Sequence, residues 1–428
     1  MAAHTRIRPS ALGAGQMKPS KLPVESPVRM SIEDQLAILR RGTTEIISEA
    51  DLKKKLERGT PLRIKLGVDP TAKHVTLGWA VVLRKLRDFQ RLGHIACLII
   101  GDFTAQIGDP SGKNKTRPQL TREEVQANVD AVMEQIGAIL DREKTVIYFN
   151  KDWLGKMTFE DVIKLCSRYT VARILERDDF TKRLEEHRPI AMHEIMYPLC
   201  QGMDSVEIVA DVEIGGNDQK FNNLVGRTLM EQFGQEPQVV VLCPLLVGTD
   251  GKEKMSQSLG NYISVVDSPN DMYGKTMSIP DSIIENYFEL ATDVPMDEVR
   301  KLLAETQNPR DAKRRLAREI VALYHNEEAA QEADDYFVNT FSKRQQPVEA
   351  EEVEIPASVI EDGQVVIAAL IASLSLAKSN SEARRHMEAG AVSLESEKLN
   401  DPKLKLALSD LVGKTLRVGK HQFRKLIG

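Results

Sequence analysis

Through residue 250, short β-branched apolar runs alternate with stretches whose apolar residues recur at helical spacing. The runs 62–68 (LRIKLGV), 95–100 (IACLII), 146–149 (VIYF), 206–212 (VEIVADV) and 237–246 (PQVVVLCPLL) predict strands. Between the first two, 80–93 (AVVLRKLRDFQRLG) carries the helical period and stops at Gly93, a residue suited to a helix C-cap. Strands alternating with helices predict an α/β fold built on a mostly parallel, doubly wound sheet. Residues 120–200 are more helical and read as an insertion between its two halves.

Ser31-Ile-Glu-Asp34 predicts a helix N-terminus of capping-box type, so ordered structure is expected to begin there. Beyond residue 262 the pattern turns all-helical to about 345. The stretch 346–363 contains proline and is rich in glutamate, the composition of a linker. A last small unit, 364–428, opens on an apolar helix near 364–376, continues through KSNSEARRHMEAGAV (378–392) and closes on a strand pair turning at Gly419.

Composition adds limits. At 42% hydrophobic and 28% charged, the chain is an ordinary globular protein, with no apolar run long enough to span a membrane. Its four cysteines show neither CxxC pairing nor histidine partners at metal spacing, which argues against zinc or a disulfide framework and for a reducing compartment. Charge is uneven: residues 378–428 hold eleven Lys/Arg against six Asp/Glu, about +5, while the chain as a whole is −5. A basic module on an acidic body suits a polyanion, although solvated basic ends are common. Residues 1–30 hold five Lys/Arg and one acid and read as a disordered extension. They lack the apolar core of a secretory signal and are compatible either with an organellar transit peptide or with a start at Met17 or Met30.

Several short motifs could carry chemistry, and each has a plain alternative. GDPSGKNK (108–115) is not a P-loop, because three residues rather than four separate its glycines and Asn114 follows Lys113. DPTAKHVTLGW (69–79) places small residues before an amphipathic helix, where backbone N–H groups attract phosphate. GGNDQKFN (215–222) follows an apolar run and brings backbone close to any ligand there. KEKMSQS (252–258) reads alone as a solvated loop. In YPLCQGMD, Tyr197, Gln201 and Asp204 stand at i, i+4 and i+7, one face of a helix, which is either a polar pocket or a surface stripe.

Taken in this order, the motifs resemble the bacterial tyrosyl-tRNA synthetases, from about residue 33 to the C-terminus. The family's HIGH tetrad falls on Thr76-Leu77-Gly78-Trp79 and its KMSKS loop on Lys254-Met255-Ser256-Gln257-Ser258. GDFTAQIGDPSGKNKTRP, YPLCQGMD and ADVEIGGNDQKFNNLVGR match the family more closely than either signature does. The resemblance implies a Rossmann-like catalytic domain over 31–262, an anticodon-side helical domain over 263–345 and an RNA-binding module over 364–428. It implies an ATP-dependent, AMP-forming ligase that makes tyrosyl-adenylate and passes tyrosine to the 3′ end of tRNA(Tyr). Magnesium would arrive with ATP, no protein-held metal is expected, and a cytoplasmic homodimer is implied.

Residue roles follow from the same resemblance. Tyrosine would be held by Lys65, Asp109, Tyr197, Gln201, Asp204 and Gln219, with Asp204 on the phenol. ATP would be met by Gly67, Asp69, Lys113, Arg117, Gly216, Asp218, Lys252 and Lys254. Thr71, Thr76, Gly78, Trp79, Lys254 and Gln257 would form the catalytic turn and lid. In the terminal module Lys378, Arg384, Arg385, Arg417, Lys420, Arg424 and Lys425 would face RNA phosphates. Three residues depart from the signatures: Thr76 and Trp79 replace both histidines, and Gln257 replaces the second lysine. Thr76 keeps a hydroxyl, Trp79 offers only an indole N–H, and Gln257 donates without charge. His74 could substitute, or be a solvated turn histidine, and His193 lacks the second histidine of HExxH. A slowed enzyme, a decayed RNA-binding relative and an adenylating paralogue with another acceptor therefore stay open.

Overall fold

The computed structural model describes residues 30–71, 73–109, 121–306, 308–342, 351–361, 363–374, 376–395, 397–419 and 422–428. These fall into two compact units that divide between Ala330 and Gln331.

The first unit is built on six strands: β1 (Glu45–Ile47), β2 (Arg63–Val68), β3 (Ile95–Ile100), β4 (Thr145–Phe149), β5 (Val212–Gly216) and β6 (Val239–Cys243). Their order is β1-β6-β5-β2-β3-β4, with every neighbour parallel except the β1 edge. β6 is buried along its whole length and β3 beyond its first residue, which explains unbroken apolar runs where a half-exposed strand would alternate. From the central pair the chain winds β2 to β3 in one direction and β5 to β6 in the other. Ligands in such sheets bind beyond the carboxyl ends of the strands at this reversal. The segments that follow Val68 and Gly216 therefore border the candidate site.

The helix after β2 is Leu77–Arg91. Thr76 caps it by accepting the backbone N–H of Trp79, and Gly93 takes the left-handed φ of +90° just past its end. Ser31 likewise caps Ile32–Arg40 through Asp34 N–H. One expectation in this unit changes. Residues 206–208, expected in a strand, close the helix Met192–Ile208; Val209 then takes a left-handed φ of 49° and the strand starts at Val212. Val206 points into a core with Leu199, Met203, Val225 and Leu229, so packing against the helix Lys220–Gln232 overrides its β-branched preference. Within the 120–200 stretch, the strand expected at 146–149 is present as β4 and pairs with β3, among helices.

The helices from Pro269 to Tyr324 belong to the same compact unit. Arg41 donates to the carbonyls of Thr292 (3.0 Å) and Val294 (2.8 Å), and Asp293 accepts from Arg84 and Arg87 at 2.5 and 2.6 Å. Among the described residues no helix is long and apolar enough to cross a membrane.

The second unit holds β7 (Glu351–Glu354), β8 (Ile360–Glu361), β9 (Gln364–Val366), β10 (Val392–Leu394), β11 (Glu397–Lys398), β12 (Lys405–Ala407), β13 (Thr415–Val418) and β14 (Gln422–Ile427). They form a five-stranded sheet, β11-β10-β13-β14-β7, and a three-stranded one, β12-β9-β8. The helices Ile367–Ser373 and Asn380–Glu388 pack onto a core of Val365, Leu370, Ile371, Met387, Leu416 and Leu426. The expected β13–β14 hairpin is present. The expected linker is not one throughout: β7 pairs parallel with β14, and β8 pairs with β9. Its glutamates misled the composition reading, since Glu352 serves the sheet by pairing with Lys425 at 2.8 Å.

Candidate active site

β2 ends at Val68, and Asp69 follows directly, half-buried. Its carboxylate accepts from the Tyr197 hydroxyl at 2.8 Å and from Thr104 Oγ1 at 2.7 Å. A Cβ on Gly101, just past β3, would fall 1.9 Å from Asp69 Oδ1, so the bare backbone there is what admits this carboxylate. The chain thus places the first residue after β2 against the helix Met192–Ile208.

That helix carries the expected series. Tyr197 is 5% exposed and Asp204 3%, whereas Gln201 is half-buried. The series is therefore not a surface stripe. Asp204 Oδ1 accepts from the Trp153 indole at 2.9 Å, and Oδ2 lies 3.5 Å from Asn150 Nδ2. Burial pushes the Asp204 carboxyl up to about 7, against the opposing pull of the Lys65 charge and these two donors. Tyr197 is held well above the usual phenol range, first by burial and then by the negative charges of Asp69 and Asp109, so it stays a proton donor. Gln201 Nε2 and the Asn223 amide lie 3.0 Å apart.

Beyond β5, Gln219 Nε2 donates to Asp109 Oδ2 at 2.7 Å, which brings two expected tyrosine contacts together. Lys254 reaches across from the lid to Asp218 at 2.8 Å, joining two expected ATP contacts. Gly67 and Gly216 stand on β2 and at the end of β5. Nothing lies within 4 Å of a Cβ built on Gly67, which leaves room beside the central strand. Thr71 is half-buried in the turn after β2, and Lys252 is exposed.

The turn at residues 74–78 is stitched to the segment 255–263. Gly78 N–H meets Met255 Sδ at 3.3 Å, Gln257 Nε2 donates to the His74 carbonyl, and Leu77 N–H donates to Ile263 O at 2.9 Å. Thr76 is 3% exposed as the helix cap, while Trp79 is half-buried. Lys113, Arg117 and Lys420 lie outside the described residues. Lys65, expected among the tyrosine contacts, has an exposure of 0%, with Glu213, Ser205 and the Gln201 carbonyl around its ammonium.

Trp153, Asn150 and Thr104 were missed by the sequence reading. A signal for Asn150 and Trp153 was available, since NKDW (150–153) follows directly on β4 at the carboxyl edge of a parallel sheet, and Thr104 likewise follows closely on β3.

Residues 57–342 match the family model for class I tRNA synthetases (W and Y). A tyrosine–tRNA ligase of Carboxydothermus hydrogenoformans is 50% identical over 404 residues, 92% of this chain and 98% of the relative. One from Thermotoga maritima is 49% identical over 403 residues, covering 93% and 98%. The chain belongs to the bacterial-type tyrosyl-tRNA synthetases. The fold of these synthetases is matched in solved structures too. A mitochondrial tyrosyl-tRNA synthetase of Aspergillus nidulans superposes with a TM-score of 0.62 at 22% identity, over 73% of this chain and 95% of that one. An Archaeoglobus fulgidus tyrosyl-tRNA synthetase complexed with L-tyrosine gives 0.59 at 22% identity, over 71% and 100%. As a class I synthetase, the chain uses ATP as a substrate.

Proposed function

We propose that this chain activates tyrosine with ATP and transfers it to tRNA(Tyr). One observation carries the reading: Asp204, buried and already bonded to Trp153 and Asn150 just beyond the carboxyl end of β4, ends the helix face of Tyr197 and Gln201. A carboxylate in that setting accepts a phenolic O–H. Phenylalanine brings no hydroxyl to that carboxylate and would bury it one donor short, and rejection on this ground is best known from tyrosyl enzymes themselves.

In the first step a tyrosine carboxylate oxygen attacks the α-phosphorus of ATP, which enters as its magnesium complex, and pyrophosphate leaves. In the second a ribose hydroxyl at the tRNA 3′ end attacks the activated carbonyl, and AMP leaves. Both steps depend mainly on positioning and on stabilising charge over phosphate oxygens. Tyr197, Gln201 and Asp109 serve the ammonium group and Gln219 the carboxylate. Asp218 and Gly216 serve the ribose, and Thr71 with the start of the helix Leu77–Arg91 serves the phosphates. Lys254 exchanges Asp218 for a phosphate oxygen, a low-cost exchange because the pair is exposed to solvent.

Lys378, Arg384 and Arg385 are exposed at and beside the helix Asn380–Glu388, which supports an RNA face on the terminal unit. Arg417 stacks over Phe423 with 5.6 Å to the ring centre, and Arg424 shares its hairpin. A homodimer is supported by Phe159 and Met192, 80% and 70% exposed, with Ile163 and Val171 each more than half exposed on neighbouring helices.

Tyrosine-dependent ATP–pyrophosphate exchange, followed by charging of tRNA(Tyr), tests the reading. Both activities are expected. Exchange without charging would point to another acceptor, and tRNA binding without exchange to a decayed reader.

A further inference from the structure

At the middle of β2, Lys65 is wholly buried, and its ammonium has an acceptor for each of its three protons. Glu213 Oε1 lies at 2.8 Å, Ser205 Oγ at 2.7 Å and the Gln201 backbone carbonyl at 2.9 Å. Glu213, 1% exposed on β5, is itself filled: Ser205 Oγ donates to its second oxygen at 3.3 Å, Gln238 Nε2 donates there also, and Gln201 Nε2 approaches the first at 3.3 Å.

Stability is a poor explanation for this arrangement. An ion pair taken out of water recovers its desolvation cost only with excellent geometry, and apolar residues of similar volume often do as well. What the pair does that leucine could not is directional. Two of the three lysine acceptors belong to one helix, at residues 201 and 205, separated by one turn and bracketing Asp204. The remaining acceptor ties that lysine to the neighbouring strand of the central sheet.

We propose that Lys65 is a positioning residue of the tyrosine pocket: its ammonium pins the helix Met192–Ile208 to β2 at Gln201 and Ser205 and so fixes where Gln201 and Asp204 meet the substrate. Glu213 holds the lysine in that position. The proposal rests on the tyrosine-activating reading above. A misplacement of about 1 Å in such a contact costs up to about 10²-fold.

The test is the Lys65→Met/Glu213→Leu double variant, which removes both charges together and leaves neither stranded in the core. In the exchange assay its KM for tyrosine rises about 10- to 100-fold while its KM for ATP stays within about threefold. An unchanged tyrosine KM in the folded variant overturns the proposal, as does an equal rise in both constants. Should the double variant not fold, Ser205→Ala decides, because it removes one helix acceptor and keeps the ion pair. A several-fold rise in tyrosine KM then supports the pin, and no rise overturns it. Failure of the functional reading is distinguishable, because the unaltered chain would then show no tyrosine-dependent exchange at all.

Discussion

On the proposed function, Asp204 trades stability for binding. Its carboxyl titrates near 3.8 as a free group and near 7 in the fold. Between those values the native protein holds a proton that the unfolded chain has lost, so this group's contribution to stability falls as pH rises from about 4 to about 7. The ceiling is about 4 kcal/mol, at 1.36 kcal/mol for each pH unit. Asp204→Asn is accordingly expected to melt higher than the parent at pH ~8 and by a smaller margin at pH ~5, while tyrosine-dependent exchange drops by about 10- to 100-fold. Thermal melts at the two pH values check it, and a lower melting temperature at pH ~8 would contradict it. Trp79 raises the opposite question, of activity not realised. It occupies the first turn of the helix Leu77–Arg91, where a well-aimed donor is worth about 10²-fold or more. Trp79→His should raise the exchange kcat with little change in tyrosine KM, and an unaltered kcat would show that the indole is no handicap. The Tyr197, Gln201 and Asp204 series was legible because the helical period alone puts these residues on one face. The depth of Lys65 was not, because local pattern cannot say that a strand lysine will find Glu213 on a strand about 150 positions away.

Elements meet closely where glycine permits it. Gly226, in the helix Lys220–Gln232, faces the Lys65–Glu213 network: an added Cβ would sit 2.9 Å from Gln238 Nε2 and 3.1 Å from Ser205 Oγ. Gly274, in the helix Pro269–Met277, has nothing within 4 Å of the same position. Alanine in a helix is favoured over glycine by about 1 kcal/mol when no contact intervenes. Gly274→Ala should therefore gain up to about 1 kcal/mol, and Gly226→Ala should lose about 1–3 kcal/mol. Urea unfolding of the two variants gives the comparison, and equal shifts would disprove it. The same scale shows where sequence reading reached its limit. β3 and β6 were plain from their apolar runs, but 206–212 was divided between a helix end and a strand. Its valines and isoleucine suit either, and only packing against the helix Lys220–Gln232 decides.

For the molecule as a whole, association and RNA contact are separate questions. Phe159, 80% exposed, is the residue on which the proposed dimer can be tested. Phe159→Asp should shift the chain from dimer to monomer in sedimentation equilibrium while its melting temperature changes little. A monomeric parent would remove the basis for that expectation. β7 carries a consequence for anyone who divides the chain. It is the outer strand of the five-stranded sheet and lies along β14, which contains Arg424 and Lys425. A fragment beginning at Gln364 would strip that strand away and expose the backbone N–H and C=O groups of β14 as a new edge. Such edges recruit other chains, so the short fragment would self-associate and give false readings for RNA, whereas one beginning before Glu351 keeps β14 paired with the short strand β7.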